Sequence, residues 1–164
     1  MRGETDAQTG VLRIAPADPS HPDALALIAA LSAELAAIYD HEDDGSGNFD
    51  PAAGVGERGA FLVGYVDAKP VACGAIRPLV DDVAELKRMF VAPAWRGRGF
   101  SRAILSALES AAAELGYAAV RLETGDRQTA AIRLYESAGY APTAKFGIYI
   151  DSARSRCYEK AIGR

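Results

Sequence analysis

The chain has 164 residues, 49% hydrophobic and 24% charged, with a formal net charge of −4. That length suits one domain able to bury a core unaided, and an acidic balance without a basic run argues against nucleic acid as partner. No apolar stretch approaches the roughly 18–20 residues of a membrane span, and two cysteines, Cys73 and Cys157, form neither a disulfide framework nor a zinc pattern. The polar N-terminus has no apolar h-region and reads as no signal peptide. The expectation is a cytoplasmic protein with a flexible N-terminus over 1–10 and a single domain over 11–164.

Residues 11–14 alternate apolar and polar and predict a first strand. Pro16, Pro19 and Pro22 then punctuate a turn, with Asp18, Ser20 or Asp23 available as a helix cap. Over 24–39, Leu27, Ile28, Leu31, Leu35 and Ile38 recur at spacings of three and four, one face of an amphipathic helix. Residues 40–59 are acidic, Gly-rich and aperiodic, and predict a long loop. Strands follow at 60–66 and 71–76, joined by a hairpin connection of four residues, Asp67 to Pro70. A turn at Asp81 and Asp82 leads into a strand over 83–91, and a glycine-rich run precedes a helix over 101–115, closed by Gly116. A strand over 118–123, a helix over 128–138 closed by Gly139 and a strand over 156–162 complete the chain. No internal repeat is present. The order predicts an α/β (α+β) domain: a mixed central sheet, antiparallel meander first and βα units after, with helices on both faces.

The strand over 83–91 breaks parity. Ala84 and Leu86 are its apolar positions before Lys87 and Arg88, Met89 and Val91 after them. One extra residue, a β-bulge, accommodates such a switch and leaves backbone groups without a neighbouring partner. The alternative has Leu86 and Phe90 facing the core and Met89 covering an edge. Beyond the strand, Gly97 and Gly99 allow a tight turn and close backbone approach. The helix start that follows presents N–H groups and the positive end of a dipole, which suits phosphate. Arg96, Arg98 and Arg102 crowd that start, so a protein acidic overall has a local cationic patch. The spacing is neither a nucleotide P-loop nor a dinucleotide fingerprint.

At these residues the chain resembles a known family. Arg96 and Gly99, with Ser101 at the final small position, are similar to the acyl-CoA motif of the GNAT superfamily of N-acetyltransferases. Residues 128–140, with Leu134 and Tyr135 before Gly139 and Tyr140, resemble the family's later helix, Gln128 standing where Asn is usual. The resemblance implies the family's fold, with acetyl-CoA between two splayed parallel strands and direct transfer of its acetyl group to an amine. It implies pairing of the pantetheine arm with strand backbone at Met89, Phe90 and Val91. It likewise implies pyrophosphate contacts from Arg96 through Gly97, Arg98, Gly99 and Phe100 to Ser101, and cofactor contacts from Gln128 and Tyr135. Acetyl-CoA enters as co-substrate, with no metal.

Three catalytic needs follow. The resemblance makes Tyr135, at the family's Leu-Tyr position, the candidate acid for the departing thiolate, and an unperturbed phenol is protonated at neutral pH. The Met89 N–H is the candidate oxyanion donor. Glu85 is the first candidate for the base that frees the acceptor amine, acting through water, with Glu123 as the alternative. His21 and His41 read as solvated, and Cys73 and Cys157 as packing residues. The expected acceptor is a small-molecule amine, its pocket drawn from the first helix, the 40–59 loop and residues 145–155. Arg77, Tyr149, Arg154 and Arg156 suit an acidic acceptor and the carboxylates over 40–44 a cationic one. No nucleic acid or membrane partner is expected, and a homodimer fits the family habit. An acyl-CoA sensor of the same fold that does not turn over is the alternative function, and a nucleotide-binding enzyme a third.

Overall fold

The computed structural model describes residues 10–39 and 55–163. Seven strands form one sheet in the order β1-β2-β3-β4-β5-β7-β6. They are β1 (Arg13–Pro16), β2 (Ala60–Val66), β3 (Lys69–Val80), β4 (Val83–Val91), β5 (Ala119–Gly125), β6 (Ala141–Pro142) and β7 (Ser155–Ala161). Three helices, α1 (Pro22–Ile38), α2 (Phe100–Glu114) and α3 (Thr129–Ser137), complete the domain. β1 to β4 run antiparallel, β4 pairs with β5 in parallel, and β7 runs antiparallel between β5 and β6.

Period-two alternation divides β2 between the two faces of the sheet. Phe61 and Val63 join Cys73, Ala75 and Phe90 under the α1 residues Ala24, Leu27, Ile28 and Leu31. Leu62 and Val66 face the opposite way, with Ala72, Ile76 and Leu86 under Ile104, Leu105 and Leu108 of α2, and α3 adds Tyr135 to that layer. The three α2 side chains are no more than 1% exposed, so each contributes about 1.5–3 kcal/mol of transfer free energy. A charge at Leu108 would break this layer. The predicted mixed sheet with helices on both faces is the architecture found.

Local differences have local causes. The cap of α1 is His21, whose Nδ1 accepts from the Asp23 N–H at 3.1 Å, while Asp18 closes the preceding turn through the Ser20 N–H at 2.8 Å. The β2–β3 hairpin turns over two residues, Asp67 and Ala68, because Asp67 adopts φ 52° and the ladder resumes at Lys69. β3 runs on to Val80, and β1 lies two residues further along than alternation predicts. The two-residue β6 carries no periodicity to read. The expected flexible N-terminus and most of the 40–59 loop lie outside the described residues.

Candidate active site

The parity break in β4 is a bulge. Cys73 pairs with Phe90 and Ala75 with Lys87, so two steps on β3 oppose three on β4. Arg88 takes the extra place at φ 60°, and its carbonyl accepts from the Cys73 thiol at 3.2 Å. Ala84 and Leu86 before the bulge, and Met89 and Val91 after it, all pack on the α2 face, while Phe90 packs on the α1 face. Gly74 lies opposite, where a Cβ would come within 2.8 Å of the Met89 sulfur and 2.6 Å of Leu108 Cδ1. The bulge therefore depends on a residue without a side chain there.

The bulge opens a cleft. β4 and β5 stay paired only from Val83↔Ala119 to Leu86↔Leu122; beyond that β5 remains with β7, Glu123 facing Cys157. Phe90 and Ala92 use their backbone groups toward β3, so alternation turns the Met89 and Val91 N–H groups into the gap that β5 has left. At its far end, Gly97 and Gly99 adopt φ 77° and 80° and Gly99 caps α2 without a side-chain hydrogen bond. The first bond into α2 runs from the Ala103 N–H to the Gly99 carbonyl at 3.1 Å, so the N–H groups of Phe100, Ser101 and Arg102 face out of the helix start.

A cavity of about 410 Å³ fills the cleft. Of the residues expected to meet a cofactor, Met89, Phe90, Val91, Arg96, Gly97, Gly99, Phe100, Ser101, Gln128 and Tyr135 all line it. Arg98 does not: its guanidinium stacks on the Trp95 ring at 4.6 Å. Arg96 has a double tie, donating from Nε to the Val91 carbonyl at 2.9 Å and pairing through Nη2 with Glu34 at 2.6 Å, which joins the turn to α1. Arg102 donates to the Ser137 hydroxyl on α3. The Gln128 carbonyl oxygen accepts from the Gly125 N–H at 2.8 Å and the Thr124 hydroxyl at 3.2 Å, fixing the turn from β5 into α3.

A second cavity of about 90 Å³ adjoins the first, sharing Leu31, Met89, Gln128 and Tyr135 with it and adding Leu35, Lys87, Arg88, Glu123 and Tyr149. Tyr135 is thus buried where the two meet. Its burial, with the Glu123 carboxylate adding, pushes the phenol well above its ordinary value. Among the described residues no side chain hydrogen-bonds its hydroxyl. Lys87 Nζ donates to the Tyr149 hydroxyl at 2.9 Å, and burial lowers its ammonium to about 8.

Glu85 is 3% exposed, lines neither cavity and is held by Arg77 at 2.9 Å. Glu123, the alternative base, lines the second cavity. Arg154 pairs with Asp126 at 3.8 Å and Arg156 donates to the Ala153 and Ser155 carbonyls; neither lines either of these two cavities, whereas Tyr149 lines the second. The carboxylates over 40–44 lie outside the described residues. Sequence reading passed over Lys87 as a site residue; its place inside the parity break was the available signal. Leu31 and Glu34 gave none, being ordinary residues of an amphipathic helix. Among the described residues, no helix is long and apolar enough to cross a membrane.

Splayed parallel strands and a glycine turn at a helix start are what the resemblance implied of an acyltransferase, and comparison with known proteins gives that class. The model of the acetyltransferase (GNAT) family matches residues 25–140, and the chain belongs to that family. It is 38% identical over 103 residues to the IAA acetyltransferase of Azospirillum brasilense, covering 62% of this chain and 67% of that one. Matches to curated relatives span from 39% to 67% of their length. Among solved structures, the "putative acyl-CoA N-acyltransferase" of Klebsiella pneumoniae subsp. pneumoniae MGH 78578 superposes with a TM-score of 0.78 at 29% identity, covering 93% of this chain and 99% of that one. A GNAT family acetyltransferase from Elizabethkingia anophelis, solved with acetyl-CoA bound, shares the fold with a TM-score of 0.65 at 14% identity, covering 92% and 97%.

Proposed function

We propose that this acyltransferase moves an acetyl group from acetyl-CoA directly to a primary amine of a small molecule. The observation that carries the reading is the bulge at Arg88, which parts β4 from β5 and leaves Tyr135 buried between two adjoining cavities. The larger cavity fits the donor: inward-facing N–H groups on one strand suit an amide-bearing chain, and the outward N–H groups at the start of α2 suit a diphosphate. Gly97 and Gly99 keep that approach open, since nothing lies within 4 Å of where a Cβ would stand on either.

Bound acetyl-CoA supplies the acyl group and a thiolate leaving group; the remaining chemistry belongs to this chain. The acceptor must attack as a neutral amine. Glu123 is the carboxylate that lines the acceptor cavity, and we assign it the amine's proton in place of Glu85. The Met89 N–H stands where negative charge develops on the carbonyl oxygen. Tyr135 gives its proton to the sulfur as the C–S bond breaks and the C–N bond forms, and the phenolate takes up the proton that the acylated nitrogen releases. Its raised affinity for that proton keeps it loaded at neutral pH.

Release of free thiol from acetyl-CoA across a panel of amines and amino acids tests the reading. Acceptor-dependent release supports it. Tight acetyl-CoA binding with no release on any acceptor overturns it in favour of a sensor.

A further inference from the structure

We propose that the acceptor carries a carboxylate beside the amine to be acetylated, as an α-amino acid does, and that Lys87 recognises it. This inference rests on the acetyl-transfer reading above and names its substrate class.

The second cavity is polarised. Lys87 and Arg88 supply cations to its wall and Glu123 an anion, while Leu31 and Leu35 form an apolar side. Glu123, Lys87 and Tyr135 line this one small cavity together, so both charges lie beside the reacting end. A zwitterion carries the matching pair of charges. Its ammonium meets Glu123 near Tyr135, its carboxylate meets Lys87, and its side chain lies along the leucines of α1. A simple alkyl ammonium has no group to meet Lys87 and forgoes that charge-assisted contact. At about 90 Å³ the cavity holds a small charged head group rather than a bulky one.

Lys87 is built to recognise an anion. Its Nζ is fixed by the Tyr149 hydroxyl at 2.9 Å and lies 5.6 Å from the Tyr149 ring centre, so little side-chain freedom remains to be lost on binding. Burial lowers its ammonium to about 8; Arg77 and Arg88 push the same way, and Glu85 and Glu123 oppose them. An arriving carboxylate stabilises the charged form. The sign is therefore fixed: Lys87 carries its charge below about pH 8 and loses it above, so affinity for a carboxylate falls as pH rises through that value.

The test uses matched triplets of acceptors, each an amino acid, its methyl ester and the decarboxylated amine with the same side chain. Small, aliphatic, aromatic, acidic and basic side chains are all represented. Thiol release is measured with the unmodified protein, Lys87→Met and Lys87→Arg. We expect the free acid of the preferred triplet to exceed its ester and amine by about tenfold or more in kcat/KM, carried mainly by KM. Lys87→Met should bring that ratio to near one and Lys87→Arg should keep most of it. The KM of the free acid should rise above pH 8 in the unmodified protein and stay level in Lys87→Arg. Esters or amines that match the free acid throughout, or a ratio that survives in Lys87→Met, overturn the inference while leaving acetyl transfer standing. Absence of release from every triplet removes acetyl transfer itself, and this inference with it.

Discussion

The two halves of the cleft are made of different material. The half we assign to the donor is largely backbone: inward N–H groups at Met89 and Val91, two glycines in the left-handed region and the open start of α2, all within 14 consecutive residues from Met89 to Arg102. The half we assign to the acceptor is side chains brought together from α1, β4, β5 and the segment before β7: Leu31, Leu35, Lys87, Glu123 and Tyr149. A backbone cradle tolerates many sequences around it and serves one invariant donor. A side-chain pocket changes with each substitution and can be fitted to a particular amine. Tyr135 belongs to both halves, lining both cavities.

That shared residue offers the largest expected effect. Tyr135→Phe should lower kcat about 100-fold or more, the scale of a lost general acid. Thermal stability should change little, because no described side chain hydrogen-bonds the hydroxyl it removes. In the unmodified protein, kcat should not fall as pH passes upward to 10, since the phenol holds its proton above the ordinary range. Retention of full turnover by the phenylalanine variant would show that the halves do not meet at this residue.

A pair of substitutions sharpens the contrast between site and scaffold. Glu123→Gln should lower kcat/KM for alkyl amines by about 10- to 100-fold, and less for a weakly basic aryl amine that is already neutral. Glu85→Gln should act on stability instead, leaving Arg77 without its carboxylate at a cost of about 1–3 kcal/mol after allowance for the partly exposed arginine. That corresponds to a fall in Tm of several degrees for a chain of this size. The reverse pattern would return the base role to Glu85.

The same difference in material explains what could be read from the sequence. The bulge was legible because a slip of one residue moves every later side chain to the other face, and Ala84, Leu86, Met89 and Val91 record that slip in their order. The glycine turn was legible because its residues are consecutive and their chemistry is conformational. Of the residues expected from these runs to meet a cofactor, all but Arg98 line the larger cavity; its exposed guanidinium stacks on the Trp95 ring. The acceptor half was legible only in part: Glu123, Tyr149 and the first helix were already candidates, but nothing in the sequence marks Lys87 as their neighbour. Glu85 was favoured as base by its place on β4, but pairing with Arg77 across the β3–β4 ladder, where Arg77 faces Glu85, is a tertiary fact.

On the donor side, Gly99→Ala should weaken acetyl-CoA binding by about five- to tenfold. Holding a Cβ at φ 80° costs about 1–2 kcal/mol, and relief of that strain reorients the N–H groups at the start of α2. No packing clash contributes, because nothing lies within 4 Å of the added carbon. The KM of the acceptor should be unaffected. A matching rise in acceptor KM would mean that the two halves are not separately built.

The smallest effect is expected at Arg98, and it decides how far the donor half depends on charge. Its guanidinium lies over Trp95, 4.6 Å from the ring centre, and lines no part of the cleft. Arg98→Ala therefore removes a cation that acts on a diphosphate only through solvent, where salt screens it over about 8 Å at physiological ionic strength. The KM for acetyl-CoA should rise less than threefold in low salt and return to the unmodified value as salt is added. Arg96 provides the contrast, because its guanidinium also ties Val91 and Glu34 together; replacing it disturbs the geometry of the turn, and salt should not restore binding. A tenfold loss at Arg98 that persists in high salt would mean that a side chain, and not the backbone, holds the diphosphate.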